Sequence, residues 1–214
     1  MFTFDIILIF QLIILIFSVM IHEIAHGSVA YSLGDPTAKN EGRLTLNPLK
    51  HIDVFGSIIL PLLLLVSSFV LGGGGIIFGW AKPVPINPYN FKDRKWGSLK
   101  VAIAGPATNF GVAIFFGLMI RFLNLPVQTN FFQFISIIVI YNFSLGIFNL
   151  LPIPPLDGSH ILFSILQVRS QKVVMFFQQY GLLILIFVLF SGGFYFLNNI
   201  IGWFFYLVTG VNLF

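Results

Sequence analysis

There is no cysteine in this chain, and charged residues make up only 8 % of it. The first absence excludes disulfides and thiolate metal ligands, so any metal site must be built from histidine and carboxylate. The second sets the chain apart from soluble domains, in which about a quarter of residues are charged. Hydrocarbon stands where charge would be. Hydrophobic residues reach 57 % and mean hydropathy is +0.98. Apolar runs of about 20 residues recur, the length that crosses a bilayer core. In such a chain a net charge of +4 does not point to nucleic acid; it reflects lysine and arginine gathered in loops on one membrane face. The partner implied by composition is the lipid bilayer.

Apolar runs at 5–30, 100–122, 131–150, 174–190 and 194–213, with a shorter interrupted one at 54–79, predict an all-α polytopic membrane protein. The expected architecture is a bundle of about five to six transmembrane helices, with residues 1–214 as a single integral-membrane domain. The first run lacks a basic leader and a small-residue cleavage site, so it reads as a retained helix and not a signal peptide. Between the runs, 31–53 and 80–100 are polar and turn-rich, and the alternation in Arg43-Leu44-Thr45-Leu46 permits a short strand. The run at 131–150, fourth in the chain when 54–79 is counted, ends in Leu151-Pro152-Ile153-Pro154-Pro155-Leu156-Asp157-Gly158. Its prolines remove backbone donors and stop the helix, so this stretch must line a cavity in protein or water. The glycines at 72–75 mark a turn and not a phosphate cradle, since no Lys-Ser/Thr accompanies them.

The segment 54–79, with Pro61 and that glycine run, decides the topology. If it crosses the membrane once, 5–30 and 131–150 run antiparallel, and His22 and Asp157 fall at opposite faces. If it dips and returns, the two runs are parallel and those residues share a depth. The second arrangement also gathers 31–53, 80–100 and 151–173 on one face, with ten of the eleven Lys and Arg; only Arg121 falls outside. Charge bias therefore favours a re-entrant segment, with these loops in the cytoplasm and the N-terminus outside.

The chemistry is concentrated in His22-Glu23-Ile24-Ala25-His26, inside the first apolar run. Imidazoles and a carboxylate in hydrocarbon cost several kcal/mol unless paired or bound to metal. On a helix His22 and His26 share a face and can bind one Zn²⁺, while Glu23 lies about 100° round, placed to take a proton from water on the metal. The bland alternative is a pair of histidines satisfied by hydrogen bonds within the bundle. A catalytic zinc needs a third protein ligand. Asp157, the sole acidic residue after Asp93, is one candidate, and an Asp there equally suits the N-cap of a helix over 158–167. His160, one turn further on, is a rival ligand or an outer donor; His51 is a weaker rival. Asn149, eight residues before Asp157, can hold the helix break together or donate to a substrate carbonyl. Asn109 faces the same choice between helix packing and substrate contact.

Together these residues resemble the site-2 protease family of intramembrane zinc metalloproteases. The resemblance is carried by HEIAH in an early membrane helix, AGPATN opening a later one and NLLPIPPLDG closing the next, and it covers most of 15–165. The segment RLTLNPLKHID looks like the compact bacterial branch. The likeness implies His22, His26 and Asp157 as ligands of one zinc per chain, Glu23 as general base, and Asn149 near the scissile carbonyl. It also implies an endopeptidase acting on single-span membrane proteins, with its site toward the cytoplasmic side of the inner membrane. Such an enzyme needs a polar path for water and local unwinding of the substrate helix. An exposed strand edge at 43–46 or within 54–79 would suit the unwound segment. Two departures from many relatives are the lack of a PDZ domain and of an apolar helix ahead of HEIAH. The alternative of another class is a membrane metal-ion transporter or sensor using the same His and Asp ligands. Transport calls for ionisable groups along a route to both faces, and this chain offers them at one depth.

Overall fold

The computed structural model describes residues 2–51, 53, 82–93, 95–167 and 170–212. The segment expected to be re-entrant, 54–79, lies outside the described residues. The long helices are α1 (Phe2–Ser32), α3 (Gly97–Phe122), α4 (Asn130–Asn149), α6 (Gln171–Val188) and α7 (Phe194–Thr209). Two shorter ones, α2 (Thr37–Asn40) and α5 (Asp157–Ile165), follow α1 and α4. Their apolar stretches Ile6–Ser32, Gly97–Phe122, Asn130–Asn149 and Gln171–Thr209 are each long enough to cross a membrane. This is an all-α, multi-pass membrane protein. The last stretch runs for 39 residues, about 58 Å if straight and nearly twice a bilayer core. It is broken between α6 and α7, where Gly192 sits at φ 109°.

Helix starts follow local chemistry. Thr129 caps α4, its Oγ1 accepting from Phe132 N at 3.2 Å, and the proline-rich break ends that helix. Asp93 accepts from Trp96 N at 3.0 Å just ahead of α3. No strand forms at Arg43–Leu46, contrary to the alternation there. Arg43 N donates to Ala38 O at 2.9 Å and Thr45 O accepts from His51 Nε2 at 2.9 Å. The groups a ladder would use are spent within the loop.

α3 is the hub, packing against α1, α4, α5 and α7. Along α1 the order Ser18, His22, His26 meets Asn109, Gly105 and Val101 of α3, so these two helices are antiparallel. Phe10 lies against Phe134 at 4.6 Å between ring centroids, and Ser18 meets Asn142 eight residues further along each helix, so α1 and α4 are parallel. Away from the histidines the bundle is held by interlocked apolar side chains, among them Ala113, Ile120, Ile135, Phe143 and Phe205. Within a bilayer such contacts act through close packing, because water is not there to be expelled.

The polar chain after α1 is tied down on itself. Asp35, fully buried, accepts from Thr37, from Asn87 N at 2.7 Å and from Asn90 Nδ2 at 2.8 Å. Burial alone would raise its carboxyl; the hydrogen bonds from Thr37, Asn87 and Asn90 outweigh that and hold it below the ordinary carboxylate range. Lys92 N donates to Leu33 O and Lys82 N to His51 O, both at 2.9 Å. Residues on either side of 54–81 are therefore in direct contact, and α1 ends on the side of the molecule where α3 begins.

Candidate metal centre

The antiparallel and parallel relations just described bring three distant side chains to one point. His22 Nε2 and His26 Nε2 lie 3.0 Å apart. Asp157 Oδ2 is 3.0 Å from the first and 3.2 Å from the second. The i, i+4 spacing on α1 sets the histidine pair, and the imidazoles meet edge to face at 84°. The carboxylate arrives from the first residue of α5. Position 156 is the cap residue of that helix, and no side chain caps it, so Asp157 is not its N-cap. Gly158 pins the helix start: a Cβ there would lie 2.3 Å from both Leu150 O and Leu151 O. Only glycine lets the α5 backbone lie against the break, and that approach aims the preceding carboxylate at the histidines.

The outer nitrogens define what the inner ones present. His22 Nδ1 is 2.6 Å from Asn109 Oδ1, and His26 Nδ1 is 2.7 Å from Val101 O. Both oxygens can only accept, so each Nδ1 carries the hydrogen and each neutral ring turns a lone pair inward at Nε2. The orientation of Asn109 is itself locked. Its Nδ2 donates to Asn142 Oδ1 at 2.9 Å and to Ser18 O at 3.3 Å. Asn142 Nδ2 in turn donates to Ser18 Oγ and to Ile138 O, both at 2.9 Å.

Three lone-pair atoms thus face one another in a buried pocket, and Asp157 Oδ2 has no hydrogen-bond donor there. Mutual repulsion of this kind is relieved by a cation. Two nitrogens and a carboxylate oxygen form a donor set suited to a catalytic zinc. Gly105 supplies the room, since a Cβ there would lie 2.5 Å from His26 Nε2 and 2.6 Å from His22 Nε2. The residues fit a zinc ion. The histidine side chains are 7 % and 8 % exposed and that of Asp157 is 20 %, so the site opens on the side of the broken helix.

The remaining candidates separate clearly. Asn109 is fully buried with its amide committed to His22, Ser18 and Asn142. Of the two roles open to it, helix packing and substrate contact, these bonds match the first, and its oxygen orients a histidine. Asn149, half-buried at the end of α4, donates Nδ2 to Leu145 O at 3.0 Å. His160 is exposed and outside the cluster, and His51 is buried on Thr45 O. Glu23 follows His22 directly and is half-buried, with Oε2 accepting from Val84 N at 2.8 Å. Sequence reasoning missed Asn142, Ser18, Gly105 and Val84. Asn142 had a signal, an amide inside an apolar run, and Ser18 sits one turn before His22 on the same face; Val84 acts through its backbone, and the proline on either side is its one mark in the sequence.

Comparison with known proteins places this centre in a family. The profile of peptidase family M50 matches residues 124–192, which include α4, the break and Asp157. The chain is 43 % identical over 160 residues to a Bacillus subtilis protein named "Putative zinc metalloprotease YwhC", covering 72 % of this chain and 67 % of that one. It is 31 % identical over 195 residues to a Mycolicibacterium smegmatis protein of the same description, Rip2, covering 89 % and 68 %. Rip2 of Mycobacterium tuberculosis strain H37Rv is 28 % identical over 191 residues, covering 89 % and 68 %. No solved structure matches. The chain belongs to peptidase family M50, the site-2 protease family. It is a membrane zinc metalloprotease.

Proposed function

We propose that this protein is an intramembrane endopeptidase that hydrolyses peptide bonds in the membrane-embedded helices of single-span proteins. His22, His26 and Asp157 hold one zinc, and Glu23 is the general base. The observation that carries the reading is the convergence of three inward-facing lone-pair atoms near the C-terminal end of a membrane helix. Zinc, when bound, polarises a carbonyl and makes water acidic enough to ionise near neutral pH. The chain does the rest. Asn109 and the Val101 carbonyl keep both imidazoles in the binding tautomer. Glu23 accepts a proton from the attacking water at its carboxylate and returns it to the leaving amine nitrogen. Asn149, at the end of α4, donates to the scissile carbonyl, giving up its bond to Leu145 O. A helical substrate must unwind at the cleaved bond, since its own backbone hydrogen bonds shield the carbonyl.

The deciding experiment is Glu23→Gln. The variant is expected to fold, to retain about one zinc per chain by metal analysis, and to lose nearly all cleavage of a single-span substrate in detergent, on the order of 10²–10⁴-fold. Turnover at the wild-type rate would overturn the role given to Glu23.

The site lies toward the cytoplasmic face of the inner membrane. Support comes from the loops after α1 and before α3, which meet through Leu33–Lys92 and His51–Lys82 and hold most of the basic residues. In this cysteine-free chain, single cysteines at Lys39, Lys92 and Asn124 can be probed on intact cells with an impermeant thiol reagent. Only the Asn124 position is expected to label. Labelling at Lys92 but not Lys39 would break the topology.

A further inference from the structure

Glu23 is held from outside its own helix by a backbone donor that the sequence isolates. Val84 lies between Pro83 and Pro85, neither of which has an N–H, so in these three residues there is a single amide hydrogen. It is directed at Glu23 Oε2 at 2.8 Å. The segment that carries it is itself clamped. Buried Arg43 donates Nη2 to Lys82 O at 2.7 Å and to Pro83 O at 3.2 Å. Lys82 N is on His51 O, and Asn87 N is on buried Asp35. The Val84 side chain is buried beside Gly27, where an added Cβ would come within 2.9 Å of Val84 Cγ1. Proline on either side narrows the backbone freedom of the strip, so little order remains to be imposed when Glu23 binds it.

We propose that Pro83-Val84-Pro85 is a positioning element for the base: the Val84 amide holds Glu23 Oε2 so that the carboxylate presents Oε1 as its proton acceptor. The proposal rests on the reading of Glu23 as general base. A carboxylate at the end of two freely turning methylenes would spend much of its time misdirected, and catalysis is sensitive to misplacement on the ångström scale. A strip covering the site to be pushed aside by substrate would use the same hydrogen bond with the opposite consequence. The clamps from Arg43, His51, Asp35 and Gly27 argue for a fixed strip, since substrate would have to break all of them to dislodge it.

The test removes one hydrogen. The amide between Pro83 and Val84 is exchanged for an ester in the full chain, by nonsense suppression with the α-hydroxy analogue of valine. Arg43 keeps its nearer acceptor, Lys82 O. Loss of a hydrogen bond to a charged group predicts a fall in kcat of about tenfold or more, with KM and zinc content unchanged. Val84→Ala, which keeps the N–H and loses only the side-chain seat beside Gly27, is expected to lower kcat less than the ester does. In a Glu23→Asp background, where the shorter side chain no longer reaches Val84, the ester is expected to add less than about twofold, measured in single turnover. An unchanged kcat for the ester overturns the proposal, as does an equal loss in both backgrounds. A rise in kcat would mean that the strip is a plug. Failure of the base reading is seen separately, as turnover by Glu23→Gln in a protein whose Val84 amide is intact.

Discussion

The two halves of the α1/α3/α4 bundle are held together by different physics. Near the histidines the helices meet through buried polar groups and a missing side chain: Ser18, Asn109, Asn142 and Gly105. Towards the other end of α3, where α7 joins, they are held through Ala113, Ile120 and Ile135 with Phe205 of α7, and at the border Phe143 meets Phe110 edge to face at 5.7 Å and lies 5.5 Å from Phe204. Apolar packing is tolerant of direction, since one methyl can replace another. A hydrogen-bonded amide is not. The first half therefore gives a geometry and the second gives adhesion, and a substitution in one should leave the other's property standing.

The sharpest break of that contrast is Asp157→Ala. It leaves a two-histidine pocket, and zinc affinity is expected to fall well beyond the 10–100-fold associated with outer groups, by competition with a chelator. His160→Ala should leave zinc bound. The opposite pattern would overturn the ligand assignment. Next in size is Gly105→Ala, whose methyl would sit 2.5–2.6 Å from both inner nitrogens. Metal analysis is expected to find less than about a tenth of the wild-type zinc, with helicity by circular dichroism unchanged. Asn109→Leu keeps bulk and loses the acceptor for His22, so zinc binding should weaken about 10–100-fold. Phe205→Ala, in the other half, should lower unfolding stability by about 3 kcal/mol while the folded protein keeps zinc affinity within about twofold. Equal effects of Asn109→Leu and Phe205→Ala on both measurements would erase the distinction between the halves.

Much of this was open to reading in the residues. Runs of hydrocarbon located α1, α3 and α4 to within a few positions, because the bilayer sets a minimum length and the prolines after Asn149 set an end. Helical spacing put His22 and His26 on one face, and charge bias, which favours parallel α1 and α4, put Asp157 at their depth; its role as third ligand came only from the family resemblance. What stayed hidden depended on partners. Nothing local to Asn109 says that its oxygen faces a histidine and not a substrate. Gly105 is one glycine among twenty until a second helix is laid against it. The alternation at Arg43–Leu46 misled because a strand needs a neighbour, and these residues bond to α2 and His51 instead. The runs at 174–190 and 194–213 were found, yet their near-continuity across a single break was not, since composition does not report direction.

The antiparallel seating of α3 on α1 has a consequence for biogenesis. The histidines enter the membrane early, and the carboxylate that completes the cluster is made 131 positions after His26, at Asp157. In the interval α3 is synthesised, carrying Asn109 and the Val101 carbonyl, and with it both imidazoles acquire their outer hydrogen bonds. A nascent chain that has reached the end of α4 already holds two oriented histidines, with no carboxylate to close the ring. Asp157 is the last of the three ligands to be made, so the three-ligand pocket can be complete only after α1, α3 and α4 exist.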